Sequence, residues 1–266
     1  MALYIYIINK IILVEALKLK YINVCTIKKH VPMDLILSSG FVTLFAIDYY
    51  LMYSKTVTLY PDLNEKQRSY ILSIKASITL FLVSLYFNYK YISSNFDTDM
   101  YLGGINGTDA FILQLSVLNL MAYFITDCVL GYYKYHKYMC NLSGYFHHII
   151  YIIVSIVSLR IDAIGLYILY LIEELPTIFL STGSYNQLLR KDYTFGLTFF
   201  LTRIVYHIFL TWKFQSSFLF LIMGVLALSV HSYWFKNWCS KYLGCVKLKT
   251  KRKLKEKKKK RKLKEN

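Results

Sequence analysis

Side chains able to do chemistry stand out in this chain because they interrupt stretches that are otherwise apolar. They are Asp48, Lys75, Asp127, His147, His148, Glu173, Glu174, Arg203, His207 and His231. An ionisable group inside a hydrophobic span is costly, so each is a functional candidate by default. Lys75 lies near a span end, where a long cationic side chain can snorkel to water, and Asp48 is likewise a solvated residue near the interface. The others are harder to dismiss. A neutral imidazole beside a carboxylate can act as general base, the carboxylate fixing its tautomer and stabilising the imidazolium. His147 or His148 next to Glu174 or Asp127 would deprotonate an amine or hydroxyl for acyl transfer, or carry the acyl group itself. These four are the catalytic candidates. Arg203 and His207 stand at i and i+4, on one helix face, where Arg203 would hold a phosphate or carboxylate. Glu173 and His231 complete the substrate-binding set. The plainer reading pairs these charges as glue between helices, Arg203 with Glu174 for instance. It also places His231, among the interfacial aromatics of Ser229–Trp234, at headgroup level. No metal site is assigned: the chain has six histidines with one adjacent pair, not the repeated boxes of a membrane di-iron hydroxylase. Its cysteines, Cys25, Cys128, Cys140, Cys239 and Cys245, show no CxxC pair and no zinc spacing.

The elements that must position these residues are apolar. Stretches at roughly 35–53, 70–89, 110–131, 145–159, 163–181, 195–212 and 217–235 are long enough to cross, or nearly cross, a hydrocarbon core. Such a core is ~30 Å thick and takes about 20 helical residues. The fourth stretch is short, and its boundary with the fifth, Arg160–Asp162, is a tight hairpin or a partly re-entrant segment. Span interiors must satisfy their own backbone hydrogen bonds, so they are helical. The short alternating strands of a barrel are missing. The chain is 56% hydrophobic and 18% charged, against about 45–50% and 25% for soluble domains. The expected fold is therefore all-α, a polytopic membrane bundle of about seven spans around a central polar cavity.

Charge gives orientation. The net charge is +17, and thirteen basic residues from Lys247 to Lys264, against Glu256 and Glu265, supply +11 of it. Basic residues lying outside any foldable module argue against a soluble nucleic-acid binder. With this segment cytosolic, the loops on the same side hold Lys55, Lys66, Arg68, Lys134, Lys137, Arg190 and Lys191, while the opposite loops between spans hold only Lys90, Arg160 and Lys213. Asp127, the histidine pair, the glutamate pair, Arg203, His207 and His231 then fall in the mid-to-cytosolic half of the bundle, as a polar cavity open to the cytosol requires. Residues 247–266 should be a disordered Lys-rich tail or a solitary, unpacked helix attracted to anionic lipid. Within it, Lys262 and Lys264 match the dilysine pattern of retrieval to the endoplasmic reticulum. Residues 1–32 carry Lys10, Lys18, Lys20, Lys28 and Lys29 on the opposite side. They form an amphipathic interfacial element, or Met33 is the functional start. Residues 33–65 then make the first span and loop, and 66–240 the main membrane domain. No Asp-Arg-Tyr follows the third span and no Asn-Pro-x-x-Tyr ends the seventh, which sets a seven-span signalling receptor aside.

The run Ala-Tyr-Phe-Ile-Thr-Asp ending at Asp127, followed by Gly-Tyr-Phe-His-His ending at His148, resembles the TLC-domain family. That family includes the translocating-chain-associated membrane protein, the longevity-assurance ceramide synthases and the neuronal ceroid lipofuscinosis protein of the endoplasmic reticulum. The likeness continues through Leu-Ile-Glu-Glu-Leu-Pro-Thr-Ile-Phe (171–179), Arg203-Ile204 and His-Ser-Tyr-Trp-Phe (231–235), and covers about residues 66–240. It implies a helical bundle around a lipid-accessible cavity in the endoplasmic reticulum, with membrane lipids as partners. In the ceramide synthases, paired histidines serve N-acylation of a sphingoid base by acyl-CoA. Carried over, that role falls on His147 and His148, with Asp127 as the nearby carboxylate and acyl-CoA as co-substrate, no other cofactor being implied. After the histidines those enzymes continue with Thr and a Ser-Tyr pair; this chain has Ile-Ile-Tyr-Ile-Ile-Val-Ser. Glu173-Glu174 also replace their later His-Asp. The sequence is thus closer to the non-synthase branch, and the alternative expectation is a non-enzymatic lipid-binding regulator or an endoplasmic-reticulum cargo receptor.

Overall fold

The computed structural model describes residues 34–139 and 141–265, and every regular element among them is helical. The segment 1–32 and Met33 lie outside the described residues, as does Cys140. In chain order the apolar helices are α1 (Leu35–Leu59), α2 (Glu65–Ser93), α3 (Gly107–Lys134), α4 (Gly144–Arg160), α5 (Ile164–Tyr185), α6 (Asp192–Lys213) and α7 (Phe218–Tyr242). Six of them are long and apolar enough to cross a membrane, and α4 is the shorter one. Beyond Tyr242 the backbone of α7 stays helical as far as Glu265, through the Lys-rich segment.

Local chemistry explains the helix starts. Asp34 caps α1 by accepting from the Ile36 N–H at 3.1 Å. Asn64 and Gln67 form a reciprocal capping box at the head of α2. Gly107 opens α3 at φ +62°, a left-handed conformation that favours glycine. Asp162 takes φ +56° between α4 and α5, and Asp is among the few residues that visit this region. The Arg160–Asp162 boundary is therefore a tight turn. α4 begins beside the C-terminal part of α3. It delivers the chain to Gly165, where an added Cβ would lie 2.9 Å from the Tyr101 carbonyl, just ahead of the start of α3.

α3 is the central element and packs against α1, α2, α4 and α5, while α5 also packs on α2 and α6, and α7 leans on α6. The core holds Tyr49, Leu72, Leu80, Phe87, Val117 and Leu169. Around it the usual polarity is inverted. Leu82, Leu85, Ile153, Val205 and Leu226 are exposed, whereas Ser84, Asn88, Gln114, Asn119 and Asp127 are buried. An apolar exterior around polar interior groups is what lipid as solvent demands of a multi-pass membrane protein. Asn88 shows how the interior polar groups are used: its amide donates to the carbonyls of Ser84 at 2.8 Å and Leu169 at 3.2 Å, and its Oδ1 accepts from Tyr206. That side chain ties α2 to both α5 and α6. Lys75 and Asp48 do not reach separately for the interface; they pair across α1 and α2, with the ammonium over the Tyr49 ring. Lys90 and Asp109 likewise pair across α2 and α3.

Candidate functional site

Three irregular turns place the polar residues. Pro176 has no N–H to offer the Ile172 carbonyl, so the Leu175 N–H closes onto it and residues Leu171–Glu174 tighten into a 3₁₀ turn. Arg203 lies within a π-helical stretch, Phe200–Tyr206, and another, Asn141–Phe146, runs into His147. Such widened turns change which way successive side chains face, and they recur at functional sites.

The first polar group sits between α3 and α4. Asp127, buried, receives a 2.6 Å hydrogen bond from Tyr135 on Oδ1, and its Oδ2 stands 3.6 Å from His148 Nδ1. Cys128 Sγ is 3.7 Å from the same nitrogen. Burial pushes the Tyr135 phenol far above its ordinary range, so the hydroxyl remains a donor to the carboxylate. His147 turns elsewhere, its ring centroid 4.4 Å from that of Tyr151 and 5.9 Å from that of Trp234. The ~100° step between neighbours on a helix aims the two imidazoles differently, though their ring centroids stay 5.7 Å apart.

The second group is built on Arg203. Its Nε donates to the Glu173 carbonyl at 2.9 Å and a terminal nitrogen donates to Thr177 Oγ1 at 2.8 Å, with Glu174 Oε1 at 3.9 Å. The guanidinium also lies 5.2 Å from the centre of the Phe199 ring. Glu174 therefore faces Arg203.

The third group joins α5, α6 and α7. His207 Nδ1 is 2.6 Å from Glu173 Oε1, and its Nε2 donates to the Gly224 carbonyl at 2.9 Å. His231 Nδ1 stands 3.4 Å from Glu173 Oε2. All three residues are buried. His231 is thus buried inside the bundle, and α7 runs on past it to Tyr242. Aromatic rings connect this group to the first, through His231, Trp234 and His147.

The candidates accordingly separate into neighbouring centres. Asp127 meets His148, Glu174 meets Arg203, and Glu173 gathers His207 and His231. A pocket of about 60 Å³ lies elsewhere, lined by Phe179, Gly183, Arg190, Phe195 and Trp238. Sequence reasoning missed Tyr135, Thr177 and Gly224. Tyrosine is so abundant here, 26 residues, that the one anchoring Asp127 from eight positions away does not stand out. Thr177 carries a usable signal, four residues after Glu173 on the same face. Gly224 acts through its carbonyl, which no residue type announces. No protein-family model, curated protein or solved structure matches the chain.

Proposed function

We propose that this chain is a TLC-like membrane protein of the endoplasmic reticulum, acting in sphingolipid- or ceramide-type lipid metabolism or homeostasis. Its reaction is N-acyl transfer from acyl-CoA to a sphingoid or related amine. The observation that carries the reading is the buried array in which Tyr135 holds Asp127 and Asp127 faces His148 Nδ1. With Nδ1 turned to the carboxylate, Nε2 is the nitrogen left for substrate. It takes the proton of the attacking amine as the nitrogen adds to the thioester carbonyl. The C–S bond then breaks and the departing CoA thiolate receives that proton from the imidazolium. Asp127, 3.6 Å from Nδ1, balances the charge of the imidazolium.

The topology in this reading has seven crossings, α4 being the short one. α4 leaves the Asp127 end of α3 and returns the chain to Gly165 beside Tyr101, the level at which α3 begins. Seven crossings put Lys134, Lys137, Arg190, Lys191 and the Lys-rich segment on one side, the cytosolic one. Asp127 then lies about 10 Å along α3 from that side, which is the side where acyl-CoA is made available.

Lipid profiling of cells expressing the wild type, His148→Ala or Asp127→Asn tests the reading. Loss of the general base should reduce product formation by about 10²–10⁴-fold. If His148→Ala changes cellular lipids as the wild type does, acyl transfer is refuted and non-enzymatic lipid binding takes its place.

A further inference from the structure

Glu173, His207 and His231 reach one point from three different helices, and their donor atoms all lie within 4.8 Å of one another. Each is at least nine-tenths buried, at 7%, 2% and 3% exposure. The Gly224 carbonyl can only accept, so His207 carries its ring proton on Nε2 and turns Nδ1 to Glu173. His231 Nδ1 is aimed at the other oxygen of the same carboxylate, yet it is buried without a hydrogen bond. A Glu173–His207 ion pair alone accounts for two of the three groups and leaves the His231 nitrogen stranded at a cost. A cation among them satisfies all three.

We propose that Glu173, His207 and His231 bind one divalent transition-metal ion, with zinc as the best fit, through the Glu173 carboxylate and both Nδ1 atoms. Two imidazoles and a carboxylate suit zinc and its neighbours, whereas calcium and magnesium take oxygen donors. Tetrahedral zinc with bonds of about 2.1 Å sets its ligand atoms about 3.4 Å apart. The His231–Glu173 separation of 3.4 Å already matches that spacing. The His207–Glu173 contact of 2.6 Å widens by under ~1 Å when the metal replaces the proton between them. The hydrogen bond to Gly224 supplies the outer partner that a metal-binding histidine normally has, fixing ring orientation and raising the basicity of Nδ1. Three protein ligands leave a fourth position open for water or a substrate oxygen. The site is separate from Asp127 and His148.

The full chain, purified in detergent without a polyhistidine tag, is loaded with zinc chloride, desalted and assayed for zinc per chain, with affinity from chelator competition. One zinc per chain is expected. Glu173→Gln, His207→Ala and His231→Ala should each weaken binding by on the order of 100-fold or more, since even outer partners are worth 10–100-fold. His136→Ala, in the turn after α3, and His148→Ala should bind as the wild type does, which separates this site from the acyl-transfer centre. Cobalt in place of zinc should give intense tetrahedral d–d bands without a thiolate charge-transfer band. Should a ligand variant fail to fold, the wild-type cobalt spectrum decides alone. No zinc retained by the wild type, unchanged affinity in the ligand variants, or a thiolate band assigning the metal to cysteine would each overturn the proposal.

Discussion

Tyr135→Phe is the most informative single change at the Asp127–His148 centre, the one proposed to transfer acyl groups, because it removes one oxygen and little else. The phenol donates to Asp127 Oδ1 at 2.6 Å, and the ring packs against Tyr53 at 6.1 Å between centroids, a contact phenylalanine keeps. Tyr101 offers a matched comparison: its hydroxyl donates to the Phe87 carbonyl at 2.7 Å, and its ring meets Tyr91 at 5.0 Å. Both tyrosines are 1% exposed. Burial and packing therefore cancel, and the difference between the two variants reports the charge on the acceptor. A hydrogen bond to a neutral carbonyl is worth about 0.5–1.5 kcal/mol and one to a charged group about 1.5–3 kcal/mol. At about 2–4 °C per kcal/mol for a chain of this size, Tyr135→Phe should lower Tm by about 3–12 °C and Tyr101→Phe by about 1–6 °C. Thermal unfolding of the purified protein in one detergent measures both. Tyr133→Phe, at an exposed position, should shift Tm by no more than about 2 °C. If the Tyr135 variant loses less than about 3 °C, or less than the Tyr101 variant, Asp127 is not an ionised acceptor, and its role in steadying a His148 imidazolium falls.

Gly224→Ala would set a Cβ 2.6 Å from Thr211 Oγ1 and 3.2 Å from Thr211 Cβ. It should cost about 1–3 kcal/mol by overpacking, and Thr211→Ala should restore most of that, as thermal unfolding of the single and double variants will show. Asn88→Leu takes the acceptor from the half-buried Tyr206 hydroxyl and leaves the Leu169 carbonyl without its Asn88 donor, with Ser84 still at 3.4 Å; the loss should cost about 1–3 kcal/mol, and a stability loss under ~1 kcal/mol would contradict the interhelical tie. For topology, glycosylation acceptors engineered near Arg190 and within 247–265 should both stay unmodified, while one in the 95–104 segment should be modified. A glycan on the Lys-rich segment overturns the orientation.

Much of the scaffold was legible from residue order because lipid is an exacting solvent. A segment that lacks water must close its own hydrogen bonds, so apolar length alone located the seven apolar helices, the short one before Arg160 included, although α1 and α7 run on well past residues 53 and 235. The cost of burying charge singled out Asp127, His148, Glu173, Arg203, His207 and His231 with no alignment and no fold. Who meets whom was another matter. Helical spacing puts Arg203 and His207 on one face, and both reach Glu173, but Arg203 takes its backbone carbonyl and His207 its carboxylate, a division that spacing does not foretell. The π-helical turn at Arg203 and the 3₁₀ turn ahead of Pro176 re-aim side chains by amounts that a 3.6-residue period does not contain. Lys75 and Asp48, each plausible alone at an interface, find one another only because α1 and α2 pack side by side. Gly224 contributes a carbonyl, and every residue has one; its value depends on how closely α7 approaches His207, a distance set by the packing of Thr211 against a position without a Cβ. Local hydrogen bonding and hydrophobicity act along the chain and can be read from it, whereas pairing across helices depends on rotation and depth, which exist only once the bundle has packed.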